Sequence, residues 1–212
     1  MKFNLVQVLC CFAMSIAPAW ASAGDVIDNF SEAEFSGRSA ERGEWQFQES
    51  QASCVADPEL YKQFKNHGPI IKWPHDFKEG TVEFEMKPSD CQRVVFTLNG
   101  DGHVFRVTLA DETATAAAGP SKVPTRIIAW KTKSSKQNKG DSIKPEGMPD
   151  LSAVNDQWVK VRLKIDGSKA TLGLNDFTTE IDHPALEREK TMVMLTFAFG
   201  KLTVRDFQLR TP

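Results

Sequence analysis

Between residues 80 and 109 apolar side chains return at every second position in three successive stretches. Val82, Phe84 and Met86 alternate with Thr81, Glu83, Glu85 and Lys87; Val94, Phe96 and Leu98 alternate with Arg93, Val95 and Thr97; residues 104–109 resume the pattern. A period of two sends neighbours to opposite faces of an extended chain. Such a run fits an antiparallel sheet with one apolar and one hydrated face, whereas a helix would scatter the same residues around its circumference. Between the second and third stretches stands Asn99-Gly100-Asp101-Gly102, whose residues tolerate positive φ, so a hairpin is expected there. Its two side-chain carbonyl groups fall short of the six or more oxygens of a calcium cage, and it reads as a plain turn.

Further strands are expected over residues 126–131, 158–165, 170–174, 191–199 and 202–209, with Asp166-Gly167 as a second hairpin turn. Asp57-Pro58-Glu59 places a capping side chain, a first-turn proline and an acid in helix-starting order; Leu60 and Phe64 share a face, and Gly68-Pro69 ends the segment. Residues 182–190 offer one more turn. Residues 110–125 are rich in Ala, Thr, Gly and Pro, and residues 133–156 are polar, with Lys133, Lys136, Lys139 and Lys144. Both read as long loops, the second as a lid or a mobile insertion. Many short strands and few helices make an all-β sandwich or barrel.

The first residues read as an export leader: Lys2 opens an apolar run, and Ala21-Ser22-Ala23 supplies small residues for cleavage after Ala23. The run is too short for a membrane span, and none is expected later. Residues 24–212 then form a single domain, secreted or periplasmic. Cys10 and Cys11 leave with the leader, so Cys54 and Cys91 meet an oxidising compartment and are expected to pair, a bond worth roughly 3–4 kcal/mol in the chain-entropy account. With 28 acidic against 26 basic residues, a nucleic acid is not the expected partner.

Four segments carry a resemblance: Gly43-Glu44-Trp45-Gln46-Phe47; Asp76-Phe77 leading into residues 81–86; Asp156-Gln157-Trp158-Val159-Lys160-Val161 with Asp166-Gly167; and Leu202-Thr203-Val204-Arg205-Asp206-Phe207-Gln208-Leu209. From about Asp28 onward the chain resembles the concanavalin A-like lectin/glucanase superfamily, and within it the secreted bacterial 3-keto-disaccharide hydrolase-like domains. The resemblance implies a jelly-roll β-sandwich with a saccharide held on a concave sheet by aromatic faces and by polar side chains that read hydroxyls. Trp73, His75, Arg93, His103, Arg106, Trp130 and Lys131 are the expected ligand contacts, with Trp45 and Trp158 assigned to the core.

No HExxH, GxSxG, phosphate-binding glycine loop or paired CxxC is present, and the laminarinase-type Glu-x-Asp-x-x-Glu strand is missing, so neither metal nor cofactor is expected. One strand presents Glu83 and Glu85 on the same face roughly 7 Å apart, nearer the inverting than the retaining carboxylate separation. The competing reading makes them cross-strand ion-pair partners of Arg93 and Arg106. A glycan-binding domain is therefore the first functional expectation. A sugar-directed hydrolase or lyase using Glu83 or Glu85 as base is the second, and a partner-binding domain contacting through residues 133–156 the third.

Overall fold

The computed structural model describes residues 24–65, 67–113 and 121–212; the expected leader and the middle of the 110–125 loop lie outside the described residues. Two antiparallel sheets face each other. The first runs through β13 (Phe177–Asp182), β12 (Lys169–Leu174), β11 (Val159–Asp166), β6 (Gly80–Ser89), β15 (Lys201–Arg210), β4 (Gln51–Val55) and β3 (Gln46–Gln48), with β1 (Val26–Asp28) paired to the far end of β15. The second runs through β10 (Asp141–Ile143), β9 (Arg126–Ala129), β8 (Gly102–Ala110), β7 (Arg93–Gly100), β14 (Lys190–Ala198), β5 (Ile70–Phe77) and β2 (Ser39–Glu41). The short helix α1 (Pro58–Gln63) starts as expected, with the Asp57 carboxylate accepting from the Glu59 amide, and the turn near residue 184 is a 3-10 helix over Pro184–Glu187.

The alternating pattern fills the space between the sheets. Val82, Phe84 and Met86 from β6 meet Val94, Phe96 and Leu98 from β7, with the Phe84 and Phe96 rings 5.4 Å apart. In β15 the spacing breaks: Leu202 and Val204 are followed by Phe207 and Leu209. A bulge at Arg205 and Asp206, with Asp206 at φ 56°, absorbs the extra residue so that all four point inward. Pro74 is tolerated within β5 because β2 pairs only as far as Lys72, leaving the proline opposite an irregular stretch of β14.

Three expectations are corrected. First, the 80–109 run is divided between layers: β6 belongs to the first sheet and the β7–β8 hairpin to the second, the chain crossing through Asp90 at φ 53°. Second, the Cys54–Cys91 bridge is not formed. β15 lies between β4, which carries Cys54, and β6, which Cys91 follows; the Cys54 thiol donates to the Val55 carbonyl and the Cys91 thiol to that of Lys201. Burial pushes the two thiols up, Cys54 to about 11 and Cys91 to about 12. Third, residues 133–156 are docked rather than mobile: Asp141–Ile143 adds an edge strand beside β9, and Met148, Leu151 and Val154 bury into the core.

A buried polar hub ties the N-terminal segment to both sheets. Asp28, at the end of β1, accepts two hydrogen bonds from Arg38 at 2.7 and 2.8 Å, one from the Phe30 amide at 3.0 Å and one from the Trp73 indole at 2.9 Å. Trp73 comes from the opposite sheet and stacks on Phe207 at 3.8 Å, nearly parallel.

Removing one partner of a buried ion pair leaves the other charge uncompensated. Asp28→Ala is expected to lower folding stability by about 3–5 kcal/mol in urea titration, while Lys62→Ala, which breaks an exposed pair with Glu59, leaves the midpoint unchanged. Because the thiolate is the reactive species, Cys54 and Cys91 are expected to resist alkylation at pH 8 in the native protein and to react fully in urea. A species two hydrogens lighter that stays unmodified in urea would place a disulfide there instead.

Candidate functional site

The outward face of the second sheet carries a groove of about 570 Å³. Antiparallel register builds its floor. In one row Thr196 of β14, Val95 of β7, Thr108 of β8 and Arg126 of β9 lie side by side; in the next stand Met194, Thr97, Arg106 and Ile128. Arg93 occupies the row beyond, opposite Ala110, and Lys72 and Ile70 of β5 extend the face on the far side of β14. The same alternation that sends Phe96, Leu98, Phe105 and Val107 inward thus sends every one of these residues outward.

Arg106 is held by a chain of side chains. Its Nη2 donates to His103 Nε2 at 2.6 Å, its Nε to Thr97 Oγ1 at 3.4 Å, and its guanidinium carbon lies 5.4 Å from the Trp130 ring centre. His103 Nδ1 in turn donates to Asn99 Oδ1 at 2.7 Å, while the Asn99 amide nitrogen donates to Met194 Sδ at 3.0 Å, which turns the amide oxygen toward the imidazole. His103 is therefore the neutral Nδ1-protonated tautomer. Burial, reinforced by the adjacent Arg106 charge, lowers its pKa to about 4. Burial also lowers the pKa of Arg106, as do the nearby charges of Arg93 and Arg126.

Arginines outnumber acids along this groove. Among the described residues no carboxylate forms an ion pair with Arg93, Arg106 or Arg126, and the Nε of Arg126 is buried without a hydrogen-bond partner. The neighbouring acid, Glu41 on β2, is engaged by Lys72 at 2.6 Å, and that contact holds its carboxyl below the usual range.

Of the expected ligand contacts, Arg93, His103 and Arg106 converge here. Trp130 lies beneath them, only 4% exposed, with its ring 5.3 Å from that of His103 and its indole donating to the Asn138 carbonyl. Trp73 is fully buried between the sheets, and His75 shares its inward parity on β5, so neither reaches the groove. Lys131 is exposed and pairs with Asp141 at 3.3 Å, outside the groove. Glu83 and Glu85 lie on the outer face of the other sheet, where register pairs them with Arg162 and Arg205 rather than with Arg93 and Arg106. There Arg205 also covers Trp158 at 4.0 Å, so Trp158 is a surface residue beneath a guanidinium and not a core one. Trp45 is half-buried, its ring edge-on to Phe197. Sequence reasoning missed Arg126, Thr97 and Thr108; the outward parity of Arg126 with Ile128, set by pairing with Arg106 and Thr108, was the available signal.

Comparison with protein-family models and with curated proteins gives no match. Among solved structures the chain is similar to the carbohydrate-binding module CBM66 from Bacillus subtilis, at 8% identity and a TM-score of 0.56 over 82% of this chain and 96% of that one. It is similar to the CBM2 module of the evolved Dit protein of Lactobacillus casei BL23 phage J-1, at 10% identity and a TM-score of 0.56 over 88% and 96%. A candidate glycosyl hydrolase from Parabacteroides distasonis matches at 10% identity and a TM-score of 0.53 over 89% and 94%. At such identities the backbone is what is shared: the chain has an all-β jelly-roll sandwich fold.

Proposed function

We propose that this chain is a saccharide-binding domain that takes its ligand in the groove on the outer face of the second sheet. The observation that carries the reading is Arg106, fixed by His103, Asn99 and Thr97 in a groove of about 570 Å³, with Arg93 and Arg126 beside it. Guanidinium groups and threonine hydroxyls supply the donors and acceptors that sugar hydroxyls need, and a side chain already held in place loses little entropy on binding. The fold shared with the two carbohydrate-binding modules supports the same reading.

Binding fits this geometry better than hydrolysis. Glycoside cleavage by a carboxylate pair needs both carboxylates flanking one bond. Glu83 and Glu85 face away from the groove and are tied to Arg162 and Arg205, and the His103 lone pair is occupied by Arg106. A partner surface over residues 133–156 is less favoured, since that segment spends its apolar residues on the core. The leader pattern in residues 1–23 supports export, so the ligand would be met outside the cytoplasm.

Val95 lies between Thr196 and Thr108 on the groove floor and is partly exposed, so Val95→Trp projects an indole into the groove without overfilling the core. In titrations against a polysaccharide panel, Val95→Trp is expected to weaken binding by about tenfold or more, and Glu85→Gln on the opposite face to leave it unchanged. Equal binding by wild type and Val95→Trp would move the site elsewhere. Because burial and the Arg106 charge lower the His103 pKa to about 4 and arginine stays charged, saccharide affinity of a His67→Gln variant, which removes the other imidazole at the groove, is expected to be flat from pH 8 down to about 5.5; a step near pH 6.5 in that variant would show His103 ionised.

A further inference from the structure

Arg93, Arg106 and Arg126 project from three adjacent strands onto one groove face, Arg126 and Arg106 as diagonal neighbours across the β8–β9 pairing. Among the described residues the other ionisable groups at this face are Arg42, which lies over the Phe64 ring, the Lys72–Glu41 pair, and His67, whose Nδ1 contacts the Phe64 and Lys65 carbonyls; His103 is neutral. The chain as a whole has more acids than bases, so this local excess of positive charge is a concentration against the average. Like charges packed together without counter-charges repel, and a partly desolvated guanidinium with a free buried Nε is an unmet hydrogen-bond donor. The groove also lacks the exposed aromatic face that a neutral sugar ring uses: Trp130 is buried beneath Arg106, Trp73 is in the core, Phe197 in the lining is only 2% exposed, and Ile70, Val95, Val123, Ile128, Met192 and Met194 form the rest of the apolar lining. Charge recognition, not ring stacking, is what this surface offers.

We propose that the ligand is an anionic saccharide whose carboxylate or sulfate groups are held by Arg93, Arg106 and Arg126, an inference that rests on the saccharide-binding reading of the groove. Guanidinium is the side chain suited to such oxyanions, because its planar fork donates two parallel hydrogen bonds. Arg126 Nε gains the acceptor it lacks, and the neutral His103 positions Arg106 without adding a competing charge.

Calorimetric titration of the purified protein with two matched pairs tests this: polygalacturonate against its methyl ester, and dextran sulfate against dextran. The charged member of at least one pair is expected to bind about tenfold or more tightly than its neutral counterpart, and to lose roughly tenfold in affinity between about 50 and 200 mM salt as counterion release is suppressed. Which pair responds assigns carboxylate or sulfate. Arg126→Gln and Arg106→Ala should each weaken that binding by about tenfold, Arg126→Lys should retain part of it, and Lys160→Ala on the opposite sheet should change nothing, with thermal melting confirming that each variant folds. Equal binding of the neutral members, insensitive to salt and to Arg126→Gln, overturns the anionic ligand while leaving the saccharide reading intact. No binding to any of the four overturns both. Preferential binding of single-stranded oligothymidylate would overturn the saccharide and give the groove to nucleic acid.

Discussion

The buried carboxylate of Asp28 is the contact on which the two layers depend. It ends β1, on the first sheet, and receives the indole N–H of Trp73 from the second, so a single acceptor group joins the layers across the core. Arg38 neutralises it and also donates to the Glu32 and Ala33 carbonyls, folding the segment after β1 back over Phe30 and Phe47. A buried ion pair of this kind contributes less to net stability than to selecting one arrangement, because its desolvation cost nearly offsets its attraction. Here the arrangement selected is the inward rotation of Trp73. That rotation fixes the parity of β5 and so places Lys72 and Ile70 on the outward face that continues the groove.

Core and groove are two outcomes of one alternation. Each inward apolar residue of β7, β8, β9 and β14 has an outward neighbour, and antiparallel pairing sets those neighbours in rows. Site residues on central strands are held by backbone pairing on both sides, which gives more precise placement than a loop allows. Irregularities in the sheets preserve that parity: the β15 bulge keeps Phe207 and Leu209 inward after two outward residues, and without it the Phe207 ring could not stack on Trp73. Lys190, fully buried at the start of β14, donates to the Lys78 and Leu186 carbonyls, tying β14 to the loop that precedes β6 and to the 3-10 turn.

Much of this was legible in the sequence. The strands over 80–87, 94–98, 104–109, 158–165 and 202–209 emerge within a residue or two of their expected limits because period two is a local signal. Which sheet a strand joins is not local. Nothing in residues 89–92 states that the chain crosses between layers there, so Glu83 and Glu85 were expected opposite Arg93 and Arg106 when they lie on the far face. The jelly-roll expectation came from resemblance, and the sandwich bears it out. Strands β1, β2, β3 and β10 are three residues long and cannot show a period, and β5 was hidden by Pro74 and by charged residues among its apolar ones. Trp73 was expected at a ligand surface as one of the aromatic faces that the resemblance implies; its indole is instead satisfied by a carboxylate 45 positions earlier, a pairing that only the fold reveals.

The arginines of the groove are better explained by recognition than by folding. Arg38, Arg162 and Arg205 each meet a carboxylate, and each secures a layer or a strand pair. Among the described residues Arg93, Arg106 and Arg126 meet none; burial lowers the pKa of Arg106, and the other two stand close enough for their charges to lower it further. Apolar or neutral polar residues at the same outward positions would satisfy the pleat equally well and avoid the repulsion, so the fold alone has no use for three unpaired guanidiniums on one face. The side chain that steadies Arg106 follows the same logic. A carboxylate there would neutralise the guanidinium, and a protonated imidazole would repel it, whereas neutral His103, oriented by Asn99, fixes its direction and leaves its charge available. A site arranged to hold positive charge in place without cancelling it is one arranged around a negative ligand.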